Sequence, residues 1–315
     1  MNKKGIEENT SSPAFDILEG LQKPQKSISS KYLYDRKGSK LFEQITQLEV
    51  YYPFRCEKEI LVNNISEITA CIPPHSVIIE LGSGNSRKMR LLLDHLPQLA
   101  GYIPVDISKE YLADIEKQLS ADYPDLFVKA VCADYTRPFQ LPATERDFKY
   151  YIIFYPGSTI GNFEPDEARS FLKQMSRFLV TGGGFLIGVD LKKDPAIIEA
   201  AYNDEKGLTA AFNKNLLTRL NRELNADFNP DLFRHKAFYN SAEGRVEMHL
   251  ESTGEQVVEV NGTKITFAKN ETIHTENSYK YGLQEFEELV SPWFSVQNVW
   301  LDKNEYFSVQ YLVKE

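Results

Sequence analysis

The chain has 315 residues, with 36 Lys and Arg against 45 Asp and Glu, a net charge of −9. At 42% hydrophobic and 26% charged it has apolar material for one large or two ordinary domains, which excludes a disordered chain or a disulfide-stapled miniprotein. The acidic balance argues against a binder of phosphate backbones, and no run of about 18 apolar residues marks a membrane span.

In chain order, residues 1–12 read as a flexible polar tail without the apolar stretch of a secretion signal, so a cytoplasmic protein is expected. Apolar runs at 77–81, 102–107, 127–132, 150–155 and 185–189 read as strands, and helical patterns at 88–95, 108–119 and 166–179 lie between them. This alternation predicts a parallel sheet covered on both faces. Residues 192–279 break the rhythm. Leu208, Phe212, Leu216, Leu220 and Leu224 recur at helical spacing, 245–250 alternates like a strand, and Asn261-Gly262 joins 256–260 to 263–267 as a hairpin. Two last runs, 294–301 and 306–313, are close enough in sequence to pair antiparallel.

A parallel sheet of five strands finished by an antiparallel pair is the layout of class I methyltransferases. The expected fold class is therefore α/β: a Rossmann-like seven-stranded class I methyltransferase sheet with an inserted α+β substrate-binding domain. The expected division gives 57–191 and 280–315 to the methyltransferase domain, and 13–56 and 192–279 to the substrate-binding domain.

Glu80-Leu-Gly-Ser-Gly84 closes the first strand of this alternation. Gly82 and Gly84 let backbone approach a ligand at the strand's carboxyl end. Asp106 ends the next strand, where an acid can take two ribose hydroxyls, and Asp134 follows the third, suited to an adenine amino group. The third glycine of a dinucleotide fingerprint is replaced by Arg87. S-adenosylmethionine has no pyrophosphate to seat and does not need it, so it is the expected cofactor, with S-adenosylhomocysteine as product. Three widely spaced cysteines, Cys56, Cys71 and Cys132, show no CxxC or Cys/His spacing, and the five histidines form no cluster in sequence, so no metal is expected.

Several segments resemble one family, the bacterial histidine Nα-methyltransferases that form hercynine on the route to ergothioneine. They are Lys-Tyr-Leu-Tyr-Asp-Arg-Lys-Gly-Ser-Lys-Leu-Phe at 31–42, Tyr-Tyr-Pro-Phe-Arg at 51–55 and Glu-Leu-Gly-Ser-Gly at 80–84. The series continues with Phe-Tyr-Pro-Gly-Ser-Thr-Ile-Gly-Asn at 154–162, Tyr-Asn-Asp at 202–204, Gly-Leu-Thr-Ala-Ala-Phe-Asn at 207–213 and Thr-Glu-Asn-Ser at 275–278. The resemblance implies three successive methyl transfers to the α-amine of L-histidine. It implies that Tyr52, Asn162 and Tyr202 hold the substrate carboxylate and that Gly157 and Asn162 lie near the amine. Glu276 and Ser278 would read the imidazole with Tyr34 near by, and Met248 would pack on the ring. Gly82, Gly84, Lys88, Asp106 and Asp134 would serve the cofactor. Asn277, between the two imidazole readers, stands where an apolar residue is expected.

The chemistry is coherent without the name. Methyl transfer from a sulfonium needs alignment more than acid–base work, because the leaving group is good and an α-amine of pKa about 8 loses its proton to solvent. Tyrosines are 17 of the residues; Tyr32, Tyr34, Tyr51, Tyr52, Tyr155, Tyr202 and Tyr239 fall in or near the substrate-side segments, and their faces suit a growing alkylammonium. Plainer roles compete: Met248 as core, Ser278 as cap of a helix starting near Tyr281, Glu276 as a solvent-facing acid, Tyr51, Tyr52 and Tyr202 as core phenols, Asn162 as a loop residue bonding its own backbone. Two other functions stay open: a related methyltransferase for another amine, and a non-catalytic small-molecule binder. A monomer with no nucleic-acid or membrane partner is expected.

Overall fold

The computed structural model describes residues 13–84, 86–144 and 146–315, with Glu110 and Tyr111 described in backbone only. The tail expected at 1–12 lies outside them. Helix α1 (Pro13–Leu21), the two-residue strand β1 (Lys26–Ser27), and helices α2 (Arg36–Ile45), α3 (Tyr52–Asn63) and α4 (Ile65–Ala70) come first. The alternating stretch runs β2 (Val77–Leu81), α5 (Arg87–Leu93), β3 (Gly101–Asp106), α6 (Lys109–Asp122), β4 (Phe127–Val128), β5 (Val131–Cys132), β6 (Tyr151–Tyr155), α7 (Pro165–Ser176) and β7 (Gly184–Asp190). Then follow α8 (Pro195–Tyr202), α9 (Leu208–Leu224), β8 (Phe233–Asn240), β9 (Arg245–Ser252), β10 (Gln256–Val260), β11 (Thr263–Phe267) and β12 (Thr272–Tyr279). Helix α10 (Leu283–Val290) and strands β13 (Phe294–Leu301) and β14 (Phe307–Lys314) complete the chain.

The described chain forms two compact units. The larger holds 43–202, 239–246 and 277–315, and the smaller holds 13–42, 203–238 and 247–276. These bounds differ from the expected division. Residues 43–56 and 192–202 belong with the larger unit, because α3 packs on β14 and Tyr52 and Lys193 are both tied to Asp190 at the end of β7.

The larger unit is built on a sheet of order β13-β14-β7-β6-β2-β3-β4, with β5 also pairing β3. β7, β6, β2 and β3 are mutually parallel, and β14 runs antiparallel between β7 and β13. This is the class I methyltransferase arrangement. All five residues of β2 and all seven of β7 are buried, as a parallel sheet covered on both sides requires. Each Val, Ile or Leu so buried contributes roughly 1.5–3 kcal/mol before the entropy of ordering is charged against it. The strand expected at 127–132 is two short ones. The Ala130 N–H between them donates to the Glu116 carboxylate on α6 at 2.7 Å and so leaves the ladder. The strand order reverses between β6 and β2, and the crevice beyond the carboxyl ends of those strands is where such sheets bind ligands.

Helix α7 starts with a capping box, Glu164 and Glu167 around Pro165. Helix α10 starts at Leu283 after Gly282, whose N–H donates to Glu285. Ser278 lies inside β12 and caps nothing, which removes that plainer role.

In the smaller unit, strands are ordered β1-β12-β9-β8, and β10-β11 forms a separate hairpin. Its turn has both Asn261 (φ 49°) and Gly262 (φ 79°) left-handed, the backbone that an Asn-Gly pair favours. Helix α9 buries Phe212, Leu216, Leu217 and Leu220. The Asp204 carboxylate accepts the N–H groups of Leu208 and Thr209 at 2.9 and 2.8 Å, satisfying donors that a helix start leaves open. Burial alone would raise the pKa of Asp204; those hydrogen bonds hold it below the usual value.

Candidate active site

The turn after β2 carries Gly82 and Gly84, two of the residues expected on the cofactor side. Gly82 and Gly84 are left-handed, with φ of +70° and +48°, so a side chain at either would be strained. Between them the Ser83 hydroxyl is buried without a hydrogen-bond partner among the described residues, the kind of group a bound ligand satisfies. Asp106, last residue of β3, accepts the Gly84 N–H at 3.4 Å and the Ser108 N–H at 3.0 Å. Burial raises its pKa against those bonds. Asp134 follows β5 and accepts the Thr136 N–H at 3.0 Å. This donor and acceptor set fits a nucleoside with a ribose diol: two backbone-close glycines, an unsatisfied hydroxyl and acids beyond successive strand ends.

Beneath that turn lies Glu80, wholly inside the protein, with the Tyr102 phenol donating to it. Burial pushes its pKa up to about 8.

Gly157 and Asn162 lie in the turn after β6. Gly157 (φ +80°) and Ser158 (φ 56°) are both left-handed and swing the chain into the tight helical turn Thr159–Asn162. The Gly157 N–H donates to both oxygens of Glu57, at 2.9 and 3.0 Å. Glu57 is fully buried on α3 and also ion-pairs Lys88 of α5. Lys88 further sits over the Phe54 ring, 4.9 Å from its centroid. Gly161 packs on β12 so closely that a Cβ would stand 2.7 Å from the Tyr279 carbonyl oxygen.

A buried polar network occupies the end of β7. Asp190 accepts from the Tyr52 phenol at 2.9 and 3.0 Å, from Lys193 at 2.6 Å and from Lys280 at 2.7 Å. Lys280, fully buried, also donates to Tyr202 at 3.1 Å and to Ser278 at 2.7 Å, and Tyr202 itself donates to Ser278 at 2.7 Å. Two ammonium groups on one carboxylate leave the cluster cationic. Burial, together with the neighbouring Lys280, lowers the pKa of Lys193 against the attraction of Asp190. The phenolic proton of Tyr52 is spent on Asp190, and its oxygen accepts from Lys193 at 2.9 Å. Donation from Tyr52 to a substrate carboxylate therefore requires release of Asp190.

The remaining expected residues lie in the smaller unit. Tyr34 packs edge-on against Phe42 and Phe212, with centroids 5.5 and 5.4 Å away. Met248 is buried in β9, and its carbonyl accepts from Thr275. Glu276 is half-buried in β12, which corrects the solvent-facing role. Tyr155 is a correction of another kind: it is fully buried against Phe171 in the core of the larger unit and is no substrate-side phenol.

The pattern left four participants unmarked: Glu57, Asp190, Lys193 and Lys280. Glu57 and Lys280 carried a signal, a charge among apolar neighbours: Glu57 beside Cys56 and Ile60 on the buried stripe of α3, Lys280 between Tyr279 and Tyr281. Nothing local marks Lys193. The histidines are also corrected, since His249 and His274 stack with centroids 4.6 Å apart and Glu247 lies 3.1 Å from His249. The alternation expected at 245–250 likewise gives way to burial of both faces of β9, because Phe238, His249 and His274 stack across three strands.

The sequence profile of a family described as "Histidine-specific methyltransferase, SAM-dependent" matches residues 14–314. Histidine N-alpha-methyltransferase of Mycobacterium tuberculosis is 40% identical over 271 residues, covering 84% of this chain and 83% of that one. The enzyme of the same name from Mycolicibacterium smegmatis is 39% identical over 272 residues, with the same coverage of 84% and 83%. Ergothioneine biosynthesis protein 1 of Neurospora crassa is 32% identical over 300 residues, which are 89% of this chain and 32% of that protein.

Proposed function

This chain belongs to the family of histidine-specific, SAM-dependent methyltransferases, and from that premise we propose that it trimethylates the α-amine of L-histidine to hercynine, the first commitment to ergothioneine. The observation that carries this reading is the match to a histidine N-alpha-methyltransferase along 84% of this chain and 83% of the relative. The site geometry supports it.

S-adenosylmethionine supplies an electrophilic methyl group on sulfur. With it bound, each transfer would join the neutral amine nitrogen to that carbon as the carbon–sulfur bond breaks and sulfur keeps the electron pair, and the substrate ammonium would lose its proton to solvent before the next round. The third transfer leaves a quaternary nitrogen with no proton to lose. The protein's task is to align lone pair, carbon and sulfur and to tolerate the fixed charge.

Within the larger unit we assign Gly82, Gly84, Lys88, Asp106 and Asp134 to the cofactor. Asn162 and Tyr202, with Tyr52, are assigned to the substrate carboxylate, and Gly157 and Asn162 to the amine. The cationic Lys193–Asp190–Lys280 cluster beside Tyr52 and Tyr202 favours an anion there. Ser278 is assigned to imidazole recognition; taken by itself, the smaller unit offers Glu276, Tyr34 and Met248 for that role. A monomer in the cytoplasm completes the reading: all three cysteines are unpaired, and no helix among the described residues is long and apolar enough to cross a membrane. Light scattering tests the monomer against the chain mass of 36.1 kDa.

Titration of the protein with L-histidine in the presence of S-adenosylhomocysteine tests the substrate assignment. Saturable binding that Glu276→Ala weakens is expected, and an unchanged affinity in that variant removes Glu276 from the site.

A further inference from the structure

We propose that Glu247, His249 and His274, all in the smaller unit, form a binding site for one divalent transition-metal ion of the zinc class. One possible ligand atom from each lies within 4.8 Å of the others. Glu247 and His249 stand two apart on β9 and point to the same side, and His274 comes from the neighbouring strand β12. Two ligand atoms each about 2.1 Å from one ion stand roughly 3.4 Å apart in a tetrahedral site. Glu247 Oε2 and His249 Nε2 are already 3.1 Å apart.

The second observation is what the other ring nitrogens do. His249 Nδ1 is 3.2 Å from the Thr272 hydroxyl, and His274 Nε2 is 3.1 Å from the Glu276 carbonyl oxygen. His249 is thus held at Nδ1 by an oxygen partner while its Nε2 faces Glu247, and His274 is held at Nε2 by a backbone carbonyl. This outer-shell arrangement fixes tautomer and ring orientation in metal-binding histidines. Two imidazoles and a carboxylate with no thiolate suit zinc, cobalt or nickel better than the oxygen-seeking calcium or magnesium.

One adjustment is required. The two rings are near-parallel, with planes 14° apart, and imidazole lone pairs lie in the ring plane. Both nitrogens reach one ion only when His274, the half-buried member, tilts out of the stack. Occupancy would therefore move β12 at the residue whose carbonyl precedes Ser278 by two positions, coupling the ion to that strand.

The test uses the full-length, untagged, metal-stripped protein and Co2+ alone. Expected are uptake of one equivalent with visible d–d absorption, displacement by Zn2+, and loss of at least about tenfold in affinity in His249→Gln and in His274→Gln. In the unmodified protein, nitrogen-15 spectra of the histidine rings should show Zn2+ moving the His249 and His274 signals and sparing His75, His95 and His235. No stoichiometric uptake, uptake unchanged in both variants, or ring signals perturbed elsewhere would overturn the proposal. The spectra of the unmodified protein decide even where a variant fails to fold.

Discussion

Ser278 Oγ receives two hydrogen bonds, from the Tyr202 phenol and from the Lys280 ammonium. With both lone pairs occupied, its own proton is left to donate, so the serine can serve only a partner with a lone pair, such as the unprotonated nitrogen of a neutral imidazole. Lys280 thereby acts as a positioning residue. Removing it leaves Asp190 paired with Lys193 alone and strands the acceptors that Lys280 held on Tyr202 and Ser278, a loss of about 1–3 kcal/mol. Lys280→Met should therefore lower stability in urea by about that amount, and Ser278→Ala, which leaves the Tyr202 and Lys280 donors one acceptor short, should lower stability to a similar extent and also raise KM for histidine. Equal urea midpoints for Lys280→Met and the parent chain would contradict this account. Glu80 makes a prediction about pH. Its folded pKa is raised to about 8 by burial, so its stabilising effect is complete below the unfolded carboxylate range and is lost as pH rises towards that value. Between pH 6.5 and 8 the ligand-free protein should lose stability by up to about 1.4 kcal/mol per pH unit from this group, and Glu80→Gln should flatten the slope. Urea titrations at three pH values check it. The left-handed turn at Gly82 and the place of Asp106 at a strand end were legible in the sequence. Asp190 and Lys193 were not: they pair with each other three residues apart, but Tyr52 and Lys280, which complete the network, lie far away in the chain.

At the scale of elements, a glycine in β7 decides where an acid on α3 can sit. A Cβ at Gly188 would overlap the Glu57 carboxylate, the group that holds both Lys88 and the Gly157 N–H. Gly188→Ala should displace Glu57, disturb both partners and weaken S-adenosylhomocysteine binding about tenfold, as expected when a supporting shell shifts around a binding residue. Calorimetric titration measures this, and an unchanged affinity in a folded variant would show that Glu57 does not position the cofactor residues. The legibility of the elements themselves followed their physics. The hairpin Gln256–Val260 and Thr263–Phe267 declared itself through Asn-Gly, and β2, β6 and β7 through continuous apolar runs. Strand β12 reads Thr-Ile-His-Thr-Glu-Asn-Ser-Tyr, and its polar side carries rings and hydrogen-bonding groups instead of facing water, so alternation understated both its burial and its content. The third strand broke because a helix carboxylate took one backbone donor, an event that no periodicity records.

At the scale of the whole molecule, the order of the strands, the family and the charge fit one reading. A net charge of −9 argues against a nucleic-acid substrate and suits a product that ends as a fixed cation. Membership of the family rests on residues 14–314, nearly the full length of the chain. The central claim is the choice of amine. Purified protein incubated with S-adenosylmethionine and each proteinogenic amino acid in turn, followed by mass spectrometry, measures that choice directly. Mono-, di- and trimethylated products from histidine, with trimethylhistidine accumulating last, are the predicted result; methylation of a different amino acid with histidine left unmodified would contradict it.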